Sequence, residues 1–129
     1  MSTHSAWRKV GLGFIAIWFL LGGIGHFVVT DAFVSVTLAF VPFPRAVVLA
    51  TGAFEILAAL ALYRQQWRRA VGLALIGFVI AVTPVHVEML RHTDRYPEVG
   101  ELALWARLAF QPMLAALIWR VTQSAPKPA

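Results

Sequence analysis

Apolar residues run along this chain in four long blocks separated by short polar joints. The first runs from Val10 to Thr30, with His26 as its one ionisable position. The second, Ala46 to Tyr63, is interrupted by Glu55; the third, Ala70 to Val87, holds His86 near its end; the fourth, Leu102 to Trp119, holds Arg107. Each block approaches the ~20 residues that a helix needs to cross ~30 Å of hydrocarbon. The pattern predicts an all-α fold, a four-transmembrane-helix bundle forming one domain over residues 1–129, with helices at about 10–30, 46–63, 70–90 and 102–121. A secretory signal would carry an apolar stretch of about 7–15 residues and a small-residue cleavage site. The first block is longer and ends Gly25-His26-Phe27, so it reads as a retained helix.

Two stretches fall outside the blocks. Ala32 to Pro44 is uncharged, too short to cross, and closed by Pro42-Phe43-Pro44. Its phenylalanines Phe33, Phe40 and Phe43 suit a short segment lying in the membrane interface; a re-entrant segment would need protein cover for its backbone groups. At the other end, residues 122–129, with Pro126 and Pro128, read as a disordered tail.

Composition sharpens the membrane reading. Charged residues make up 13% of the chain and hydrophobic ones 60%, with a mean hydropathy of +0.74. A soluble domain carries roughly 25% charged residues, whereas lipid favours an apolar exterior. The net charge of +5 is lopsided. If the spans alternate, Arg8, Lys9, Arg64, Arg68, Arg69, Arg120 and Lys127 fall on one side. Arg45, Arg91 and Arg95 share the other with Asp31, Asp94, Glu98 and Glu101. The positive-inside rule then places both termini and the second loop in the cytoplasm of an inner-membrane protein. Trp7, Tyr63, Trp67 and Trp119 fall at the same cytoplasmic interface, where aromatic belts form. The positive charge is thereby explained without nucleic acid. The absence of cysteine excludes disulfides, thiolate metal sites and thiol redox chemistry by the chain itself.

Polar side chains inside spans are costly and tend to face the bundle interior. Five qualify: His26, Glu55, His86, Arg107 and Gln111. At ~1.5 Å rise per residue, the histidines and Arg107 lie roughly 6–9 Å below the outer edge, and Glu55 and Gln111 roughly 15 Å. Glu55 shares a stripe with Thr51, Gly52, Ala58 and Ala59; His26 follows Gly22 and Gly23; Arg107 and Gln111 are four apart on one face. Pro84 and Pro112 each remove a helical donor, leaving the carbonyls of Ile80 and Leu108 unpaired. Together these features predict a small polar cavity in the outer half. The alternative is purely structural: a Glu55–Arg107 salt bridge, with the histidines and Gln111 tying helices together. Glu88 points elsewhere and is placed to pair with Arg91 or His92. A bis-histidine haem would be crowded by Arg107 and Glu55, and a zinc site lacks a close-spaced ligand pair, so no metal is assigned.

The series Gly25-His26-Phe27, Gly52-Ala53-Phe54-Glu55, Pro84-Val85-His86-Val87 and Trp105-Ala106-Arg107-Leu108-Ala109-Phe110-Gln111-Pro112, one motif per helix, resembles the DoxX-like family of small four-helix membrane proteins over residues 10–121. Many DoxX-like chains carry Asn where this one has His86; a histidine there can donate, accept and titrate. His26, Glu55, Arg107 and Gln111 match the family pattern. That family is named from a subunit of a thiosulfate–quinone oxidoreductase, and its members are linked to respiratory and oxidative-stress assemblies.

The resemblance implies a membrane subunit of a redox complex binding a quinone. Arg107, His26 and His86 would hydrogen-bond its carbonyls, Glu55 would exchange protons, and a redox partner would supply electrons. A second expectation is a non-enzymatic scaffold or assembly factor in which the polar cluster only sets packing. A third is passage of a proton or small solute, which four short helices would require homo-oligomerisation to achieve.

Overall fold

The computed structural model describes residues 3–123, and among these the chain is helical with no strand. Helix α1 spans Thr3–Val28, the short α2 Thr30–Ser35, α3 Pro44–Ala61, α4 Arg68–Arg91 and α5 Glu101–Thr122, with one 3₁₀ turn at Thr93–Arg95 before α5. Four of these helices are long and apolar enough to cross a membrane. Helices α4 and α5 run past their apolar blocks at both ends, whereas α1 and α3 start before theirs and stop two residues short, at Val28 and Ala61. The last helix ends one residue beyond the predicted 121. Thr122 closes α5, and Gln123 bonds the Arg69 carbonyl through Nε2 at 2.9 Å; residues 124–129 lie outside the described residues.

The long helices alternate in direction. We call the end where α1 begins the lower end and the end bearing His26 and Arg91 the upper end. Helix α1 packs most extensively on α3, and α4 on α5. The common core lies in the lower half, where helical spacing turns Leu12, Ile15 and Phe19 inward to meet Ala58, Ala59 and Leu62 of α3. Leu75 and Val79 of α4 and Leu114, Ile118 and Val121 of α5 complete it. Arginines close the lower helix ends. Arg68 Nε donates to the Leu62 carbonyl at the end of α3, and Arg8 Nε to the Val121 carbonyl at the end of α5, both at 2.9 Å. Terminal carbonyls have no intrahelical partner, and a cation suits the negative end of the helix dipole.

The predicted segment between the first two long helices is α2 and an irregular stretch leading to Pro44. The Thr30 hydroxyl bonds the His26 carbonyl at 2.7 Å and turns the chain back over the top of α1 and α3. Pro44 opens α3, where a missing N–H costs nothing. Phe43 before it takes a left-handed conformation (φ 50°), unusual for a bulky residue.

Candidate functional site

The upper half is built differently in its two helix pairs. In α1/α3 the backbones touch. A Cβ added at Gly23 would lie 2.7 Å from the Gly52 carbonyl oxygen, and one at Gly52 would lie 2.5 Å from His26 Cβ. Neither position has room for a larger residue. His26 is therefore pressed against α3. Its Nδ1 lies 2.7 Å from the Val48 carbonyl and 3.2 Å from the Thr51 hydroxyl. A carbonyl only accepts, so Nδ1 carries the hydrogen. The other ring nitrogen, Nε2, stands 3.0 Å from Glu55 Oε2.

Glu55 is buried, and its Oε2 has no aligned hydrogen-bond donor: Nε2 is within ion-pair reach without meeting hydrogen-bond geometry. Glu55 reaches His26 because helical side chains tilt toward the helix N-terminus, which in α3 is the upper end. That tilt removes the depth difference expected from counting residues.

In α4/α5 the helices meet at the lower end, where a Cβ on Gly72 would collide with the Thr122 side chain. Higher up, Gln111 is buried and bridges the pair, donating through Nε2 to the Val79 carbonyl (2.9 Å) and the Thr83 hydroxyl (3.3 Å). Its Oε1 accepts from Arg107 Nη1. The Arg107 guanidinium lies over Trp18, 5.2 Å from the ring centroid, and over Phe110, 5.6 Å away, a cation–π setting. Neither proline breaks its helix: α4 continues through Pro84 and α5 through Pro112. The carbonyl that recruits side-chain donors is that of Val79, taken by Gln111 and by the Thr83 hydroxyl (2.8 Å), one residue before the position expected from the missing proline N–H.

The five predicted residues thus form two separate links and an outlier. His26 joins Glu55, Arg107 joins Gln111, and His86, half-buried, makes no hydrogen bond to a described residue. The Glu55–Arg107 salt bridge does not form; the two charges act on each other only through space. Glu88 pairs with His92 at 2.9 Å. Thr83 and Trp18 complete the links and were not named from sequence; Thr51 was read on the Glu55 stripe, Phe33 as an interfacial residue and Phe110 within the fourth motif, none of them as a partner in these links. Phe110 was legible as the i+3 neighbour of Arg107, and Thr83 as the hydroxyl beside Pro84. Trp18 left no such signal, and the interfacial reading of Phe33 gave no sign of its contact with His26.

The cavity is also not where the polar cluster is. A groove of about 900 Å³ opens between α4 and α5 in the upper half. Its walls are largely apolar and include Ile80, Pro84, Val87, Leu108 and Pro112, with Leu38 and Phe40 from the α2–α3 connection forming a lip. Of the five predicted residues only Gln111 reaches it. Glu88 and Arg91 line its mouth, and Arg91 has no hydrogen bond or ion pair to a described residue. Between Val79 and Arg91 the groove rises over about three helical turns, roughly 18 Å. No group of three or more metal-ligating side chains gathers among the described residues.

No curated protein and no solved structure matches the chain significantly. One family model matches residues 15–122, a span that takes in both helix pairs, the groove and all five polar residues. The chain therefore belongs to the family described as a domain of unknown function, DUF8561.

Proposed function

We propose that the chain is a multi-pass inner-membrane protein, with its lower end in the cytoplasm, that holds a quinone-type, chain-bearing ligand between α4 and α5 as the membrane subunit of a redox complex. The exterior supports the membrane setting. No more than 33% of any long helix's apolar window is buried in the chain, so side chains such as Leu57, Leu60, Leu73 and Met113 need an apolar solvent. The groove carries the ligand reading. An open, apolar cleft about three turns long fits a prenyl or acyl chain, and cofactor sites are concave, mostly apolar and sparsely polar.

The polar residues take different roles from those expected of the bare sequence. Gln111 and Thr83 are spent on the Val79 carbonyl and on each other. The donor at the mouth is Arg91, placed to bond a head-group carbonyl, with Glu88 and His92 beside it to exchange protons. Reduction of a quinone to a quinol takes two electrons and two protons. The chain has no thiol and no glycine-rich nucleotide motif, so a partner supplies the electrons. The DoxX-like motif series adds the redox setting to this reading.

The test is to purify the protein gently, extract it and identify what it retains. Stoichiometric quinone that is lost in Ile80→Trp, whose side chain fills the groove, is the expected result. Absence of any retained quinone in the unsubstituted protein contradicts the reading. A second reading, a scaffold or assembly factor, is favoured by one observation: His26, Glu55, Arg107 and Gln111 are all engaged in links within the bundle. In that case the groove receives a partner's helix, and the retained species is a protein.

A further inference from the structure

Charge is divided along the bundle more sharply than topology requires. The acidic residues are Asp31, Glu55, Glu88, Asp94, Glu98 and Glu101, and none falls in residues 1–30, 56–87 or 102–129, the stretches that supply the lower end. Arg8, Lys9, Arg64, Arg68, Arg69 and Arg120 therefore gather there with no Asp or Glu among them. These cations are not equivalent. Arg68 and Arg8 spend their Nε on carbonyls at the ends of α3 and α5. The Arg120 guanidinium lies over Trp7, 5.5 Å from the ring centroid. Arg64 and Arg69 are exposed, and their side chains make no hydrogen bond or ion pair to a described residue.

Both belong to the joint between α3 and α4. The Trp67 amide donates to the Arg64 carbonyl at 2.9 Å and the Arg68 amide to the Gln65 carbonyl at 3.4 Å, so the joint is two overlapping tight turns. They keep Arg64 beside the start of α4. Tyr63 and Trp67 are exposed on either side of it. Amphipathic rings lie at the head-group level of a membrane, and a joint this short holds its guanidiniums in the same layer. A soluble partner would have to push between head groups to reach them. Exposed leucines begin at once on the apolar side, Leu60 in the last turn of α3 and Leu73 one turn beyond Arg69 in α4. Arg68 and Arg69 also stand in the first turn of α4, where the helix dipole disfavours cations, with no acidic residue beside them.

We propose that the α3–α4 joint binds the phosphate of an anionic phospholipid, with Arg64 and Arg69 as its donors and the exposed leucines of α3 and α4 as the bed of its chains. A guanidinium fork bonds two phosphate oxygens at once, and Gln65 and Gln66, exposed between the arginines, offer neutral amide donors. A zwitterionic lipid brings its own cation, which the arginines repel, so the site selects a head group of net negative charge. Topology asks only that cations lie on this side of the membrane; it does not ask for a bound lipid. The site lies at the opposite end of the bundle from the groove mouth and rests on the membrane setting alone, not on the quinone reading.

The test uses the protein in nanodiscs of phosphatidylcholine with a minor fraction of phosphatidylglycerol, released into detergent and weighed by native mass spectrometry. The protein is expected to keep one phosphatidylglycerol in preference to phosphatidylcholine, and the preference is expected to fall as salt is raised. In Arg64→Gln/Arg69→Gln it is expected to drop roughly thirtyfold, the factor for two cations lost from an anionic surface. Because neither side chain touches the described bundle, that variant is expected to keep its thermal midpoint. The upper-end pair Arg45→Gln/Arg95→Gln is expected to leave the preference within about twofold, since surface charge acts over only about a Debye length. A preference that ignores salt or survives Arg64→Gln/Arg69→Gln overturns the proposal. So does an equal loss in the upper-end pair, or an acidic protein retained in place of lipid. Quinone retained without phosphatidylglycerol removes this site and leaves the groove reading; phosphatidylglycerol retained without quinone does the reverse.

Discussion

The two helix pairs of the upper half use one device to opposite ends. In each, a side-chain nitrogen crosses to a backbone carbonyl: His26 Nδ1 to Val48 in α1/α3, and Gln111 Nε2 to Val79 in α4/α5. In α1/α3 glycines let the backbones close around the bond, leaving Glu55 buried. In α4/α5 the small-residue contact is at the far lower end, Gly72 on Thr122. Two prolines then line an open cleft above the Gln111 bridge. A polar bond between helices does not by itself decide whether they close. Backbone approach decides it, and that is set by glycine on one side and proline on the other.

The strongest way to break this contrast is Gly52→Leu. Its side chain has nowhere to go between His26 and Gly23, and overpacking of this kind costs about 1–3 kcal/mol, at times more. Thermal unfolding in detergent is expected to fall steeply; an unchanged midpoint would show that α1 and α3 do not touch there. Next in size is Gln111→Leu. It leaves Arg107 without its acceptor and removes the tie to α4, and interhelical bonds in membrane proteins are worth about 0.6–2 kcal/mol. A loss of about 1–2 kcal/mol is expected by the same measurement.

Ile80→Trp is expected to separate stability from ligand holding. Ile80 is exposed on the groove wall, so stability should stay within about 0.5 kcal/mol while retained quinone disappears. The smallest effect belongs to Gly77→Ala. An added Cβ there meets nothing within 4 Å, so helix propensity alone acts, a gain of about 0.5–1 kcal/mol. A large loss at Gly77 would mean that α4 carries a contact absent from this structure.

Much of the architecture was legible in the chain. Four long apolar blocks gave the four long helices, and the small residues around Glu55 and before His26 marked the face where α1 meets α3. The partner of Glu55 was not legible. Counting residues along the axis put it nearer Gln111 in depth and made Arg107 the natural counter-ion. The tilt of side chains toward the top of α3 sends it to His26 instead. The groove was half legible: Pro84 and Pro112 marked its walls, but an empty space arises from how two helices diverge, which no single residue records. The end of α5 lies one residue past the expected 121, and Thr122 and Gln123, polar by composition, are both tied into the lower end of α4/α5.

The most direct test of a closed pair beside an open one is a pair of spin-label distance measurements in the cysteine-free chain, reconstituted in nanodiscs. One pair, Val28→Cys with Val47→Cys, spans α1/α3; the other, Val87→Cys with Met113→Cys, spans α4/α5. The account predicts a narrow α1/α3 distribution unchanged by added quinone, and a broader α4/α5 distribution that narrows when quinone is present. Equal widths in the two pairs, with no response to quinone in either, would contradict it.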